Sequence, residues 1–97
     1  MKKAIYKYPV ILDDKFELEM PGGGSVLNVQ MQDGKPYLWA IVEPQLNPVK
    51  KKFVMVGTGH EYKEEYFNQL RYINTFQVDK LVLHLFEVDD YNYATMD

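Results

Sequence analysis

The stretch SVLNVQMQDGKPYLWAIVE (residues 25–43) decides the fold. In its first half Leu27, Val29 and Met31 alternate with Asn28, Gln30 and Gln32, the period of a strand with one dry face and one wet face. Asp33-Gly34 follows, a pair that tolerates the positive φ angles of a tight primed turn and so predicts a hairpin. The second half is apolar on both faces around Trp39, Ala40, Ile41 and Val42, which predicts a central strand covered on both sides.

The same reading extends outward. FELEM (residues 16–20) alternates Phe16, Leu18 and Met20 with Glu17 and Glu19. KFVMVG reads as a second central strand. LRYINTFQV and LVLHLFEV, joined by Asp79-Lys80, predict a closing hairpin, and AIYKYPV predicts a first strand that Pro9 confines to an edge. The expectation is a mainly β (β-rich α+β) domain, a small antiparallel sandwich or partly open barrel of about seven strands with one short helix. Pro21-Gly22-Gly23-Gly24 predicts a bend that a Cβ would obstruct.

The helix is expected over about residues 59–68. Tyr62, Tyr66, Phe67 and Leu70 fall at helical spacing opposite Lys63, Glu64, Glu65 and Asn68, and Thr58 and Glu61 stand in the relation of a capping box. The tail DDYNYATMD has no periodicity and is expected to fray or to enter a subunit contact.

Composition bounds the function. The 97 residues form one domain, and 46% of them are hydrophobic, enough for a single core. With no Cys there is no disulfide, thiolate metal site or Cys nucleophile. The apolar runs near the N-terminus are too short for a signal h-region or a membrane span, so a cytoplasmic, non-membrane protein is expected. The formal charge of −3 predicts no bulk nucleic-acid affinity. Its distribution is uneven: residues 1–52 carry eight Lys/Arg against six Asp/Glu, residues 53–97 three against eight. Lys50, Lys51 and Lys52 are the one concentrated basic feature.

The functional question centres on Gly57, Thr58, Gly59 and His60, where a strand runs into a glycine-flanked corner. One reading is a strand exit and helix cap with its amides satisfied internally. The other is an anion cradle, because a helix N-terminus beside glycines presents unpaired N–H groups. His60 and Lys50, Lys51 and Lys52 would then supply charge, and Tyr62 or another tyrosine would stack on a base. A P-loop lacks its Gly-Lys-Ser/Thr ending, and a dinucleotide fingerprint lacks its third glycine and βαβ unit. His60 and His84 do not make a zinc set; His84, between Leu83 and Leu85, reads as a hydrogen-bonded, half-buried histidine. Ser25, the only serine, lies in no nucleophile elbow. Phosphodiester cleavage would require His60 and His84 to converge in one pocket.

IYKYPV (residues 5–10), MPGG (20–23) followed by VLNVQ, LWAIVEP (38–44), FVMVGTGH (53–60) and HLFEV (84–88) resemble, in this order, a family of small proteins of unknown function found in phages and bacterial genomes. The resemblance covers nearly the whole domain and implies fold and lineage; it attaches no reaction. Relatives tend to place a proline directly after the G-T-G-H element, where this chain has Glu61, so the local geometry there is expected to differ. Phage ancestry implies action by binding. It suggests an anti-defence sponge, commonly oligomeric, that sequesters a cyclic or ADP-ribose-type nucleotide signal without a cofactor. The alternative is a protein that inhibits a host protein by direct contact through a strand edge or a Tyr-rich face.

Overall fold

The computed structural model describes residues 2–96. Seven strands run β1 (Ala4–Pro9), β2 (Lys15–Pro21), β3 (Ser25–Gln32), β4 (Lys35–Val42), β5 (Pro48–Gly57), β6 (Arg71–Val78) and β7 (Leu81–Val88). They form two antiparallel sheets, one ordered β1-β4-β3 and the other β2-β5-β7-β6. This is an open sandwich, with β4 and β5 in the interior positions that their two-sided apolar sequences predict. β1 is an edge, as Pro9 requires. Asp33 (φ 53°) and Gly34 (φ 77°) both take the left-handed conformation of a primed hairpin turn.

The core lies between the sheets. Phe16, Leu18 and Met20 of β2 and Phe53 and Met55 of β5 face Leu38, Ala40 and Val42 of β4. Phe16 stacks on Phe53 with ring centroids 5.1 Å apart, and Phe53, Leu38 and Val42 have no exposed surface. Along one side the sheets are tied by Asn74 of β6, whose Oδ1 accepts from the Val29 amide at 2.8 Å.

Three expectations are corrected. In β3 a bulge between Val26 and Asn28 changes the phase of the strand. Val26 and Val29 are therefore the buried residues, while Leu27 and Met31 lie exposed. No helix spans residues 59–68; that segment contains only a 3₁₀ turn, Glu64–Phe67, whose N-cap Lys63 makes no side-chain cap bond. The tail is an α-helix, α1 (Asp90–Thr95), capped by Asp89, whose carboxylate accepts from the Asn92 amide at 2.8 Å.

A second apolar cluster explains where these helical pieces sit. Val54, Val56 and Val88 project from the outer face of the four-stranded sheet, and Tyr62, Tyr66, Leu70, Phe86, Tyr93 and Met96 cover them. Lys15 fastens α1 by donating to the terminal carbonyls of Tyr93 (2.7 Å) and Met96 (2.8 Å), the charge sign that suits a helix C-terminus.

Candidate functional site

The G-T-G-H corner is a β-turn. The His60 amide donates to the Gly57 carbonyl at 3.2 Å, and Gly59, at the third position of the turn, has φ 88°, which favours glycine. The Thr58 amide donates to the Val82 carbonyl at 3.1 Å, extending the β5–β7 ladder one residue beyond the strand. Gly57 stays within β5. The His60 ring packs against it so closely that a Cβ at position 57 would meet Cε1 at 3.1 Å. The Gly59 amide has no protein acceptor among the described residues. With no helix starting here, the helix-dipole part of the anion-cradle reading is removed.

Beside the turn lies a cleft of about 510 Å³, within the range of small-molecule sites. Three chain segments far apart in sequence build it. The β1–β2 connection contributes Leu12, Asp13 and Asp14, the end of β5 and the turn after it contribute Met55, Gly57, Thr58 and His60, and the β6–β7 turn with the start of β7 contributes Lys80, Leu81, Val82 and Leu83. The Met55 amide donates to the Asp14 carbonyl at 2.9 Å and fixes the first segment against the second. Among the described residues, the side chains of Asp14, His60 and Lys80 make no hydrogen bond or ion pair within the protein. The cleft thus combines an apolar floor, two carboxylates, one ammonium and one imidazole.

The expected site residues divide among three places. Gly57, Thr58, Gly59 and His60 share the corner. Tyr62 is stacked on Tyr66 at 4.4 Å, in a second cavity of about 470 Å³ against α1. Lys50, Lys51 and Lys52 lie toward the other end of β5, about 17–23 Å from Gly57 at a strand's rise per residue. Lys51 pairs with Glu87 at 3.1 Å, and Lys52 pairs with Glu17 at 3.2 Å and Asp90 at 3.1 Å. Burial lowers the Lys52 pKa, but its bonds to Asp90 and Glu17 outweigh that and hold it above its ordinary value. Lys51 and Lys52 thus fasten β2, β7 and α1, and all three lysines lie away from the corner.

His84 is hydrogen-bonded and half-buried, as its place in the strand predicts. Its Nε2 lies 2.7 Å from Thr58 Oγ1 and its Nδ1 lies 2.9 Å from Thr75 Oγ1, which is 2.6 Å from the Tyr72 hydroxyl. His60 and His84 do not line one cleft: His60 lines the one described, and His84 is held on the outer face of the sheet. Among the described residues no group of three or more side chains is placed to hold a metal, and no helix is long and apolar enough to cross a membrane. The Thr75–His84 pair was open to sequence reading. A two-residue turn at Asp79-Lys80 sets Thr75 opposite His84, and only the β5–β7 register that adds Thr58 is non-local.

A family model described as a domain of unknown function (DUF7352) matches residues 1–95. No curated protein and no solved structure matches the chain.

Proposed function

The chain belongs to the DUF7352 family, a domain of unknown function, and on that premise we propose, from its own residues, a protein that captures an ADP-ribose-type nucleotide and leaves it unchanged. The carrying observation is the cleft beside the G-T-G-H turn, where unpaired donors and unpaired acceptors line one apolar-floored space. Leu12, Met55, Leu81 and Leu83 suit a base. Lys80 and His60 suit a phosphate, and the carboxylates of Asp13 and Asp14 suit the hydroxyls of a ribose. The two carboxylates oppose a ligand with negative charge along its whole length. They favour an ADP-ribose-type ligand, whose terminal sugar presents hydroxyl donors, over a cyclic phosphodiester. Charge-assisted hydrogen bonds contribute about 1.5–3 kcal/mol each, so three of them with one buried base support roughly micromolar capture. In a phage setting this is a sponge for a nucleotide immune signal, and an oligomer closing the open side of the cleft is the expected assembly.

The test is retention of ADP-ribose. Protein incubated with it, freed of unbound ligand, heated and chromatographed should release the nucleotide intact. Asp14→Asn with His60→Ala should reduce retention at least tenfold at unchanged melting temperature, and Lys51→Ala should leave retention unchanged. Absence of retention by the native chain rejects the reading, and recovery of altered nucleotide replaces it with an enzyme. A second reading rests on the rim of the same cleft, where Leu12 (53%) and Leu81 (61%) are exposed beside Ile11 and Val82. An inhibitory protein partner would insert an apolar side chain there. Retention of no nucleotide, with Leu81→Asp abolishing binding to a host protein, would favour it.

A further inference from the structure

We propose that Thr58 Oγ1 is a nucleophile activated by His84 and that it accepts acyl groups from activated esters. This goes beyond nucleotide capture and does not depend on it. The observation is the chain Thr58–His84–Thr75–Tyr72 on the outer face of the four-stranded sheet, in which a hydroxyl, a base and a group orienting the base stand in hydrogen-bond series. Each member is carried by a paired strand or the residue directly after one: His84 pairs with Val56 of β5 on one side and with Thr75 of β6 on the other. Thr58 is exposed at the rim of the cleft, where an ester can reach it.

The direction of the protons decides whether the chain is reactive. If Thr58 donates to Nε2, then Nδ1–H donates to Thr75 and Thr75 donates to the Tyr72 oxygen. In the reverse arrangement Nε2–H donates to Thr58, which passes its own proton to the Val82 carbonyl at 3.2 Å. Nucleophilic attack requires the first, in which Oγ1 donates to Nε2 across the 2.7 Å contact and Nδ1–H donates to Thr75 Oγ1 across the 2.9 Å contact. The Gly59 amide, next in the chain after the nucleophile, has no acceptor among the described residues and is available to a developing oxyanion.

In the reaction Oγ1 bonds to the ester carbonyl carbon as its proton passes to Nε2, and the carbonyl electrons move onto oxygen. Collapse of the tetrahedral adduct breaks the bond to the leaving alcohol, which departs with the proton from Nε2. Water then repeats the sequence, releasing the carboxylic acid and restoring Thr58. The orienting group is a neutral hydroxyl, so the imidazolium formed is not stabilised by a carboxylate. This restricts the substrate class to esters with good leaving groups and predicts an acyl-threonine that persists.

The full chain is treated with p-nitrophenyl acetate, and acetylation is located by peptide mass. Acetyl on Thr58 is expected, at least tenfold slower in His84→Gln, retained in Thr58→Ser and lost in Thr58→Val. No acetyl on Thr58, or an equal rate in His84→Gln, overturns the proposal. A measurement on the unaltered chain needs no variant to fold: the imidazole ¹⁵N shifts of neutral His84 should report a proton on Nδ1. A proton on Nε2 overturns it. Retention of ADP-ribose bears on neither result.

Discussion

At the scale of single residues, close contact is most demanding at Gly24. A Cβ there would lie 1.6 Å from the Ile41 carbonyl oxygen, a backbone atom that cannot swing aside. Gly24→Ala must therefore part the β3–β4 entry, and a loss of about 2–3 kcal/mol is expected by equilibrium denaturation. A loss below about 0.5 kcal/mol would show that the backbone yields there. The tyrosines set a second prediction. Burial pushes the hydroxyls of Tyr8, Tyr66 and Tyr93 up, with smaller contributions from Tyr6, Tyr62 and Glu17 respectively. Lys52 also sits above its ordinary value. In each case the folded chain keeps its proton to higher pH than the unfolded chain does, so this stability is fully present below pH about 10 and is lost as pH rises beyond it. The midpoint of unfolding should fall above pH 10, and less steeply in the Tyr8→Phe, Tyr66→Phe, Tyr93→Phe variant. An equal slope would remove burial of these hydroxyls as the cause.

At the scale of elements, α1 is held from outside itself. A six-residue helix is too short to persist alone; it depends on Tyr93 and Met96 against the sheet, on the Asp89 cap, and on Lys15 at its terminal carbonyls. Lys15→Met should speed amide exchange of residues 92–96 about tenfold or more, because bonds to a charged donor contribute about 1.5–3 kcal/mol. The strands should keep their protection, and an equal loss in β4 and β5 would instead show that α1 and the sandwich unfold as one unit. The strands were legible because period two and the Asp33-Gly34 turn are local signals. The helix over residues 59–68 failed for a tertiary reason. Thr58 has the residue type and spacing of a cap, but its amide and hydroxyl are both engaged with β7, so the chain turns at Thr58-Gly59 and enters no helical turn before Glu64. For α1 the signal was present, in an Asp at position 89 three residues before Asn92 and in Tyr93 and Met96 on one face, yet too short to outweigh a polar tail.

At the scale of the whole molecule, the sandwich converts distant segments into one site. Residues 12–14, 57–60 and 80–83 meet only because β2 and β7 flank β5 in the same sheet. His60 and its turn were visible in the sequence as chemistry, whereas Asp13, Asp14 and Lys80 carried no local mark and gain meaning only from that strand order. The same topology separates Lys50, Lys51 and Lys52 from the corner, although ten residues or fewer lie between them and His60. The central claim is that ligand capture occurs in this cleft and not along the lysine stretch. Titrating ADP-ribose into ¹⁵N-labelled protein and following the amide shifts tests it directly. The account predicts saturable changes at Asp13, Asp14, Thr58, Gly59, His60, Lys80 and Leu81 with the amides of Lys50, Lys51 and Lys52 unmoved; changes confined to those lysines, or none at millimolar ligand, would contradict it.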